Sequence, residues 1–313
     1  MSTTLRHILI TGGCGFIGVN LVAALRASHD ALIRVLDNER LGKREYLAQW
    51  DVEFLRGDLR DAETVERAVA GVDCVVHLAA DTRVMDSIVD PDNNFAVNVM
   101  GTMNLLRAMR KAGVERIVSA STGGAILGEV PPPAREDMPP SPASPYGAGK
   151  LAVEGYLSAF AGSYGMRACS LRFSNVYGPH SFHKGSVVAA FFRAILATRP
   201  ITVFGDGSQT RDYVFVKDLC RGILSAMEKG ATGVYQLGSG IPTTINQLIK
   251  HIRAIVEPRH QMHVRYEEFR AGELRRTWCD IDKARRVLGY EPRTCLQDGL
   301  LETWDWFTLQ TQC

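Results

Sequence analysis

His7 to Gly18 reads HILITGGCGFIG, a short apolar run, a cluster of glycines and the start of a helical pattern. HILIT is rich in β-branched and apolar residues, as a buried strand is. From Phe16 to Ala27 the apolar residues recur at helical spacing. Gly13, Gly15 and Gly18 satisfy G-x-G-x-x-G, and Gly12 adds a second reading, G-x-x-G-x-x-G. Such a pattern is weak alone and gains force in a strand–loop–helix context. Gly12 and Gly13 allow a tight turn, Gly15 lets a pyrophosphate approach the backbone at the helix N-terminus, and Gly18 lets helix and strand pack closely. Phe16 and Ile17, within the same turn, join the expected cofactor site. The next apolar run, LIRVL (32–36), ends in Asp37, nineteen residues after Gly18. A carboxylate there accepts both ribose hydroxyls of NAD and repels the 2′-phosphate of NADP, whereas Arg34 and Arg40 nearby pull the other way.

The alternation continues outward. Strands are expected at 52–55, 73–80, 115–120 and 167–173, with helices at 62–70, 95–112 and 145–164 between them. This order predicts an α/β fold, a Rossmann-type doubly wound parallel sheet with helices on both faces and ligands beyond the carboxyl ends of the strands. After residue 174 the texture changes to fewer strands. We expect a dinucleotide-binding domain over 1–174, with a return segment at about 210–238, and a smaller mixed α/β substrate-binding region over 175–313. Residues 129–145 hold seven of the thirteen prolines and read as a stiff loop walling the site.

Composition excludes several classes. Apolar residues make up 46% of the 313-residue chain and charged residues 22%, as in ordinary globular proteins. With 36 basic and 34 acidic side chains the net charge is +2, so neither nucleic acid nor a membrane surface is the expected partner. No run reaches the roughly 18 apolar residues of a membrane span. Seven cysteines without a C-x-x-C spacing suit a reduced, cytoplasmic protein. His180 with His183, and His260 with His263, form H-x-x-H pairs without further ligand types nearby, so no metal is expected.

Ser144 to Lys150, SPYGAGK, places Tyr146 and Lys150 one turn apart, behind an N-capping serine and a proline suited to the first helical position. Together with ITGGCGFIG, LDN (36–38), GDLRD (57–61), HLAA (77–80), NVMGT (98–102), SASTGGAILG (119–128), LRFSNVYGP (171–179), GDGSQTRDYVFVKD (205–218) and GELRRTWCDIDKARRVLGYEP (272–292), this stretch resembles the extended short-chain dehydrogenase/reductase family. Within that family the resemblance is to the NAD-dependent sugar-nucleotide epimerases and dehydratases, above all the UDP-glucose (UDP-hexose) 4-epimerases. It runs over about residues 6 to 307.

The resemblance implies roles. Asp37 and Asn38 would hold the adenosine ribose of NAD, and Asp58 and Leu59 would touch the adenine. Leu78, Ala79 and Ala80 would line the cofactor cleft, supported by Asn98. Tyr146 would be the catalytic base. Lys150, with help from the positive nicotinamide ring of NAD⁺, would lower the phenol's pKa, and it would also reach the nicotinamide ribose. Thr122 or Ser121 would supply the catalytic hydroxyl. For the nucleotide sugar, Arg211 and Arg270 would grip the diphosphate, Glu273 the nucleotide ribose, and Asn175 and Val187 the diphosphate or sugar. Thr277 would border the C2 substituent, where a small residue admits N-acetylated sugars. Family dehydratases carry Asp-Glu after the catalytic threonine; here Gly123 and Gly124 follow Thr122, which favours 4-epimerisation through a 4-keto intermediate. Alternatives are a UDP-hexuronate or another NDP-sugar as substrate, with Lys184 or Arg83 as basic groups near the sugar, an NAD-dependent reductase, or a non-catalytic dinucleotide-binding protein. His183 and Lys184 would sit in a loop over the substrate. Leu127 replaces the family's usual tyrosine. By analogy with relatives, the helices at 95–112 and 145–164 would form a homodimer.

Overall fold

The computed structural model describes residues 5–257, 259–269 and 274–310. The glycine-rich stretch opens it as expected. β1 (His7–Thr11) runs into α1 (Phe16–Ser28), followed by β2 (Leu32–Asp37), β3 (Glu53–Arg56), α2 (Ala62–Val69) and β4 (Cys74–His77). α3 (Val84–Val89) comes next, and the helix expected at 95–112 then runs without a break from Pro91 to Ala112 as α4 (Pro91–Phe95), a π turn at Ala96–Met100 and α5 (Gly101–Ala112). β5 (Arg116–Thr122), α6 (Gly123–Leu127), α7 (Pro145–Tyr164) and β6 (Arg167–Phe173) complete the first part.

The sheet is seven-stranded and wholly parallel, with β10 (Gly233–Leu237) added at one edge. Its order is β10-β6-β5-β4-β1-β2-β3. The order reverses between β1 and β4, so the cleft for a ligand opens above those two strands. Alternation along β1 shows how both faces are covered. Ile8 and Ile10 join the core that α1 packs, whereas Leu9 joins the core beneath α2, α5 and α7. All three side chains are fully buried, which is why the strand reads as an unbroken apolar run.

The remaining elements are β7 (Asn175–Tyr177), α8 (Val187–Leu196), β8 (Ile201–Phe204), β9 (Thr210–Phe215), α9 (Val216–Glu228), β11 (Pro242–Thr244), α10 (Ile245–Val256), β12 (Val264–Glu267), α11 (Asp282–Leu288) and α12 (Leu296–Gln310). They form a three-stranded sheet, β11-β9-β7, and a two-stranded one, β12-β8. No helix among the described residues is long and apolar enough to cross a membrane.

Inside the molecule a buried ion pair ties α7 to the sheet. Arg172 on β6 donates from Nε and Nη2 to the two carboxylate oxygens of Glu154, at 3.0 and 2.8 Å, and Ser121 Oγ donates to the same carboxylate at 2.6 Å. Removing one partner strands a charge in a low-dielectric interior. Glu154→Ala is expected to lower the unfolding free energy by about 3–5 kcal/mol in urea denaturation. A loss below ~1 kcal/mol would show that the pair is effectively solvated.

Candidate active site

The glycine loop is shaped as a phosphate cradle. Gly12 has φ +73°, and a Cβ there would lie 2.7 Å from the Ala79 nitrogen; a Cβ on Gly18 would lie 2.5 Å from the Gly12 oxygen. Side chains at either position would push apart β1, α1 and the loop after β4. No side chain caps the N-terminus of α1, so its first amides are available to an anion.

Asp37, at the end of β2, is buried. One carboxylate oxygen accepts the Cys14 N–H at 3.0 Å and the other the Glu39 N–H at 2.8 Å. Each oxygen keeps a lone pair for a ribose hydroxyl. Burial raises its pKa, and the two amide donors oppose that rise. Neither nearby arginine is disposed toward a 2′-phosphate: Arg34 is spent on Glu53 and on the carbonyls of Ala68 and Ala70, and Arg40 lies 3.7 Å from Asp81. Asn38 Nδ2 donates to Asp58 at 2.9 Å, and Arg60, hydrogen-bonded to Asp58, holds that carboxyl well below the usual range. Leu59 is buried beside them.

On the far side of the cleft, the loop carrying Leu78, Ala79 and Ala80 is clamped from behind. Asn98 accepts the Asp81 N–H at 2.8 Å and donates to the Asp81 carbonyl at 2.9 Å. His77 bridges Thr11 and Thr102 at 2.7 and 2.9 Å, and burial pushes its pKa down to about 3, which keeps the ring neutral. The geometry of these groups fits a dinucleotide lying across the β1–β4 switch point.

The other half of the site stands on α7. Ser144 Oγ accepts the Gly147 N–H at 3.2 Å and Pro145 occupies the first helical position. Tyr146, Lys150 and Glu154 follow at four-residue intervals on one face. Lys150 is buried, and its Nζ donates to the Ala120 carbonyl at 2.9 Å. Burial pulls its pKa down to about 8; Glu154 works against that and Lys184 adds to it. Tyr146 is half-buried, and burial pushes its phenol up to about 12. Burial is the cause of that rise, and the Lys150 ammonium is hydrogen-bonded to a backbone carbonyl.

Neighbouring residues on β5 face opposite ways, and this separates the two candidate hydroxyls. Ser121 is buried and already committed to Glu154. Thr122, partly exposed at the strand's end, is the one left to face a ligand. A Cβ on Gly123 would meet the Gln236 side chain at 2.7 Å, whereas one on Gly124 would meet nothing within 4 Å. Leu127 is fully buried, so the missing tyrosine is replaced by core packing.

The residues expected to meet the substrate are distributed over the second part. Asn175 is exposed on β7 and donates to the Asp212 carbonyl at 3.3 Å, and Val187 is the first residue of α8. Arg211 is half-buried on β9, its Nη1 donating to the Thr210 carbonyl at 2.9 Å. The Thr277 N–H donates to the same carbonyl at 3.2 Å. A cavity of about 290 Å³ is lined by Gly205, Asp206, Ser208, Gln209, Phe269, Arg275 and Arg276, with the Arg275 guanidinium 5.1 Å from the Phe269 ring centre. The proline-rich loop borders it: Glu129 to Pro132 share a second cleft with Arg275 and Arg276, and the Ala134 N–H donates to the Trp278 carbonyl at 2.8 Å. Arg270 and Glu273 lie outside the described residues.

Glu154, Arg172, His77 and Gln236 escaped the reading of the sequence. Glu154 had a signal, since it continues the stripe begun by Tyr146 and Lys150. The other three sit in strands where nothing distinguishes them from packed residues.

Comparison with known proteins agrees with this architecture. Residues 8–238 match the model of the NAD dependent epimerase/dehydratase family. A UDP-glucose 4-epimerase of Mycolicibacterium smegmatis is 38% identical, covering 97% of this chain and 99% of that protein. The solved UDP-glucose 4-epimerase of Thermotoga maritima with UDP-glucose is 38% identical, with a TM-score of 0.92 over 98% of this chain and 100% of that one. The UDP-glucose 4-epimerase of Thermus thermophilus, solved with NAD, is 39% identical, with a TM-score of 0.89 over 97% of this chain and 99% of that one. With the β1–β4 cleft and the Tyr146–Lys150 helix in place, these matches establish that the chain belongs to the NAD-dependent epimerase/dehydratase family.

Proposed function

We propose that the chain is an NAD-dependent 4-epimerase of a UDP-sugar, interconverting UDP-glucose and UDP-galactose, and the N-acetylhexosamine pair as well, through a 4-keto intermediate. The observation that carries this reading is the end of β5. Tyr146 and Lys150 stand beside a strand that ends in a hydroxyl, Thr122, followed by two glycines and no carboxylate. Elimination of water needs a further acid and base, and glycines supply neither. The open space at Gly124 leaves room for a keto-sugar to turn over.

NAD, when bound, would supply the hydride acceptor at C4 and return the hydride to the opposite face. Gly12, Gly15, Phe16, Ile17 and Gly18 would hold its pyrophosphate, Asp37 and Asn38 its adenosine ribose, Asp58 and Leu59 its adenine, and Leu78, Ala79 and Ala80 the cleft wall, with Asn98 behind. Tyr146 would take and return the proton of the C4 hydroxyl. Its phenol starts near 12, so positive charge is needed to draw the proton off, and Lys150 would supply it with help from the nicotinamide ring when NAD is bound. Thr122 would hydrogen-bond the same oxygen. Asn175, Val187, Arg211, Arg270 and Glu273 would bind the nucleotide diphosphate, arginine being suited to bidentate contact with phosphate. Thr277 would border C2.

The NAD-binding unit would comprise residues 1–174 with the return segment at about 210–238, and the sugar-nucleotide region 175–313. The return of β10 to the main sheet supports that division. The six described cysteines are all unpaired, which suits a reducing cytoplasm. A homodimer is supported by an apolar face across α3, α4, the π turn and α7, where Met85, Ile88, Val89, Phe95, Met100 and Tyr156 are exposed.

Proton NMR of the purified protein, without added NAD, tests the activity. UDP-glucose and UDP-N-acetylglucosamine are expected to yield their galacto epimers, and Tyr146→Phe to slow turnover by roughly 10²–10⁴-fold. No epimer from either sugar would overturn the reading, and inertness of the N-acetyl sugar alone would overturn the role of Thr277. The dimer is tested by light scattering: Val89→Asp with Phe95→Asp is expected to halve the mass, and an unchanged dimer would place the interface elsewhere.

A further inference from the structure

Asp212 follows Arg211 on β9 and is 1% exposed. Its Oδ1 accepts the N–H and the hydroxyl of Ser239, both at 2.7 Å. Its Oδ2 accepts the Gly240 N–H at 3.1 Å, the Cys279 N–H at 3.3 Å and the Cys279 S–H at 3.3 Å. Burial, with the carboxylate itself, raises the Cys279 pKa well above its ordinary value, so the thiol keeps its proton and stays a donor. An ionised carboxylate only accepts, at about four lone-pair sites, and five neutral donors fill this one.

The carboxylate sits where the chain passes between the two parts of the molecule. β6 and β10 belong to the main sheet, and β7, β9 and β11 to the small one. The chain crosses at Ser174, between β6 and β7, and at 238–241, between β10 and β11. Both crossings meet at Asp212. The Ser174 N–H donates to the Leu237 carbonyl at 3.0 Å, and Ser174 Oγ lies 3.3 Å from Cys279 Sγ. A Cβ on Gly238 would lie 2.5 Å from Asp212 Oδ2, 2.5 Å from Ser174 Oγ and 2.6 Å from Cys279 Sγ, so the segments touch with no room for a methyl group. Three residues assigned to the nucleotide sugar are tied to this point from three segments. Arg211 precedes Asp212 in the chain. Asn175 Nδ2 donates to the Asp212 carbonyl at 3.3 Å. Thr277 stands two residues before Cys279, and its N–H donates to the Thr210 carbonyl at 3.2 Å.

We propose that Asp212 is a positioning residue for the nucleotide-sugar half of the site: without touching the ligand, its carboxylate holds Asn175, Arg211 and Thr277 in one frame against the end of the main sheet. The proposal rests on the reading under which those three residues meet a UDP-sugar.

Asp212→Asn keeps the size of the side chain and changes its acceptors. Whichever way the amide turns, its NH₂ faces backbone N–H groups, either that of Ser239 or those of Gly240 and Cys279, and these lose their partner. The test is calorimetric titration of UDP into the NAD-loaded wild type, Asp212→Asn and Ser239→Ala, with thermal unfolding and the NAD content of the purified protein as controls. Asp212→Asn is expected to weaken UDP binding on the order of tenfold or more while NAD is retained. Ser239→Ala, which removes only the hydroxyl donor, is expected to weaken it less. A lower melting temperature with UDP affinity kept in both variants would make Asp212 a stability residue alone and overturn the proposal, as would loss of NAD in step with UDP binding. Failure of the wild type to bind UDP would overturn the UDP-sugar reading and this assignment with it. Normal UDP binding without epimerisation of either sugar would overturn the proposed reaction and leave this assignment to stand or fall on the variants.

Discussion

The site depends on how α7 is fixed to the sheet. Tyr146, Lys150 and Glu154 share one face of that helix, and the last of them anchors the first two. Glu154 receives three hydrogen bonds, two from Arg172 on β6 and one from Ser121 on β5. A buried ion pair contributes little net stability once desolvation is counted, but it tolerates few arrangements. Here it sets the rotation of α7 against the strand ends, and so brings Lys150 to the Ala120 carbonyl. The capping serine and the bond from the Tyr146 N–H to Ser87 Oγ, 3.2 Å, fix the helix start.

That anchoring divides the labour of β5. Ser121 donates to Glu154, and Thr122, one residue on, is partly exposed at the strand's end. On the proposed reading, Asp37 and Asp58 would serve as acceptors at the adenosine end, and Lys150 and Arg211 would stand toward the nucleotide sugar.

Much of this was legible in the sequence. Segments buried on both faces, such as HILIT and CVVH, announce themselves by unbroken apolar runs, and α7 by its cap and periodicity. The helix expected at 95–112 is present but starts four residues earlier, at Pro91, and carries a π turn at Ala96–Met100 that the apolar spacing does not announce. α3 is only six residues long, and β7 and β11 only three each; such segments are set by tertiary partners rather than local preference. In the candidate site, the glycine loop, Asp37 and the Tyr146–Lys150 pair declare themselves by residue type and spacing. The choice between Ser121 and Thr122 did not, since it depends on which face of β5 meets Glu154.

The central claim is that hydrogen leaves C4 of the sugar as hydride and comes back to the same carbon without exchange. Turnover of UDP-[4-²H]galactose in ordinary water, with no NAD added, tests it directly. The account predicts UDP-glucose with the deuterium still at C4 and a slower rate than the unlabelled sugar. Product with hydrogen at C4, its deuterium released to solvent, would contradict it.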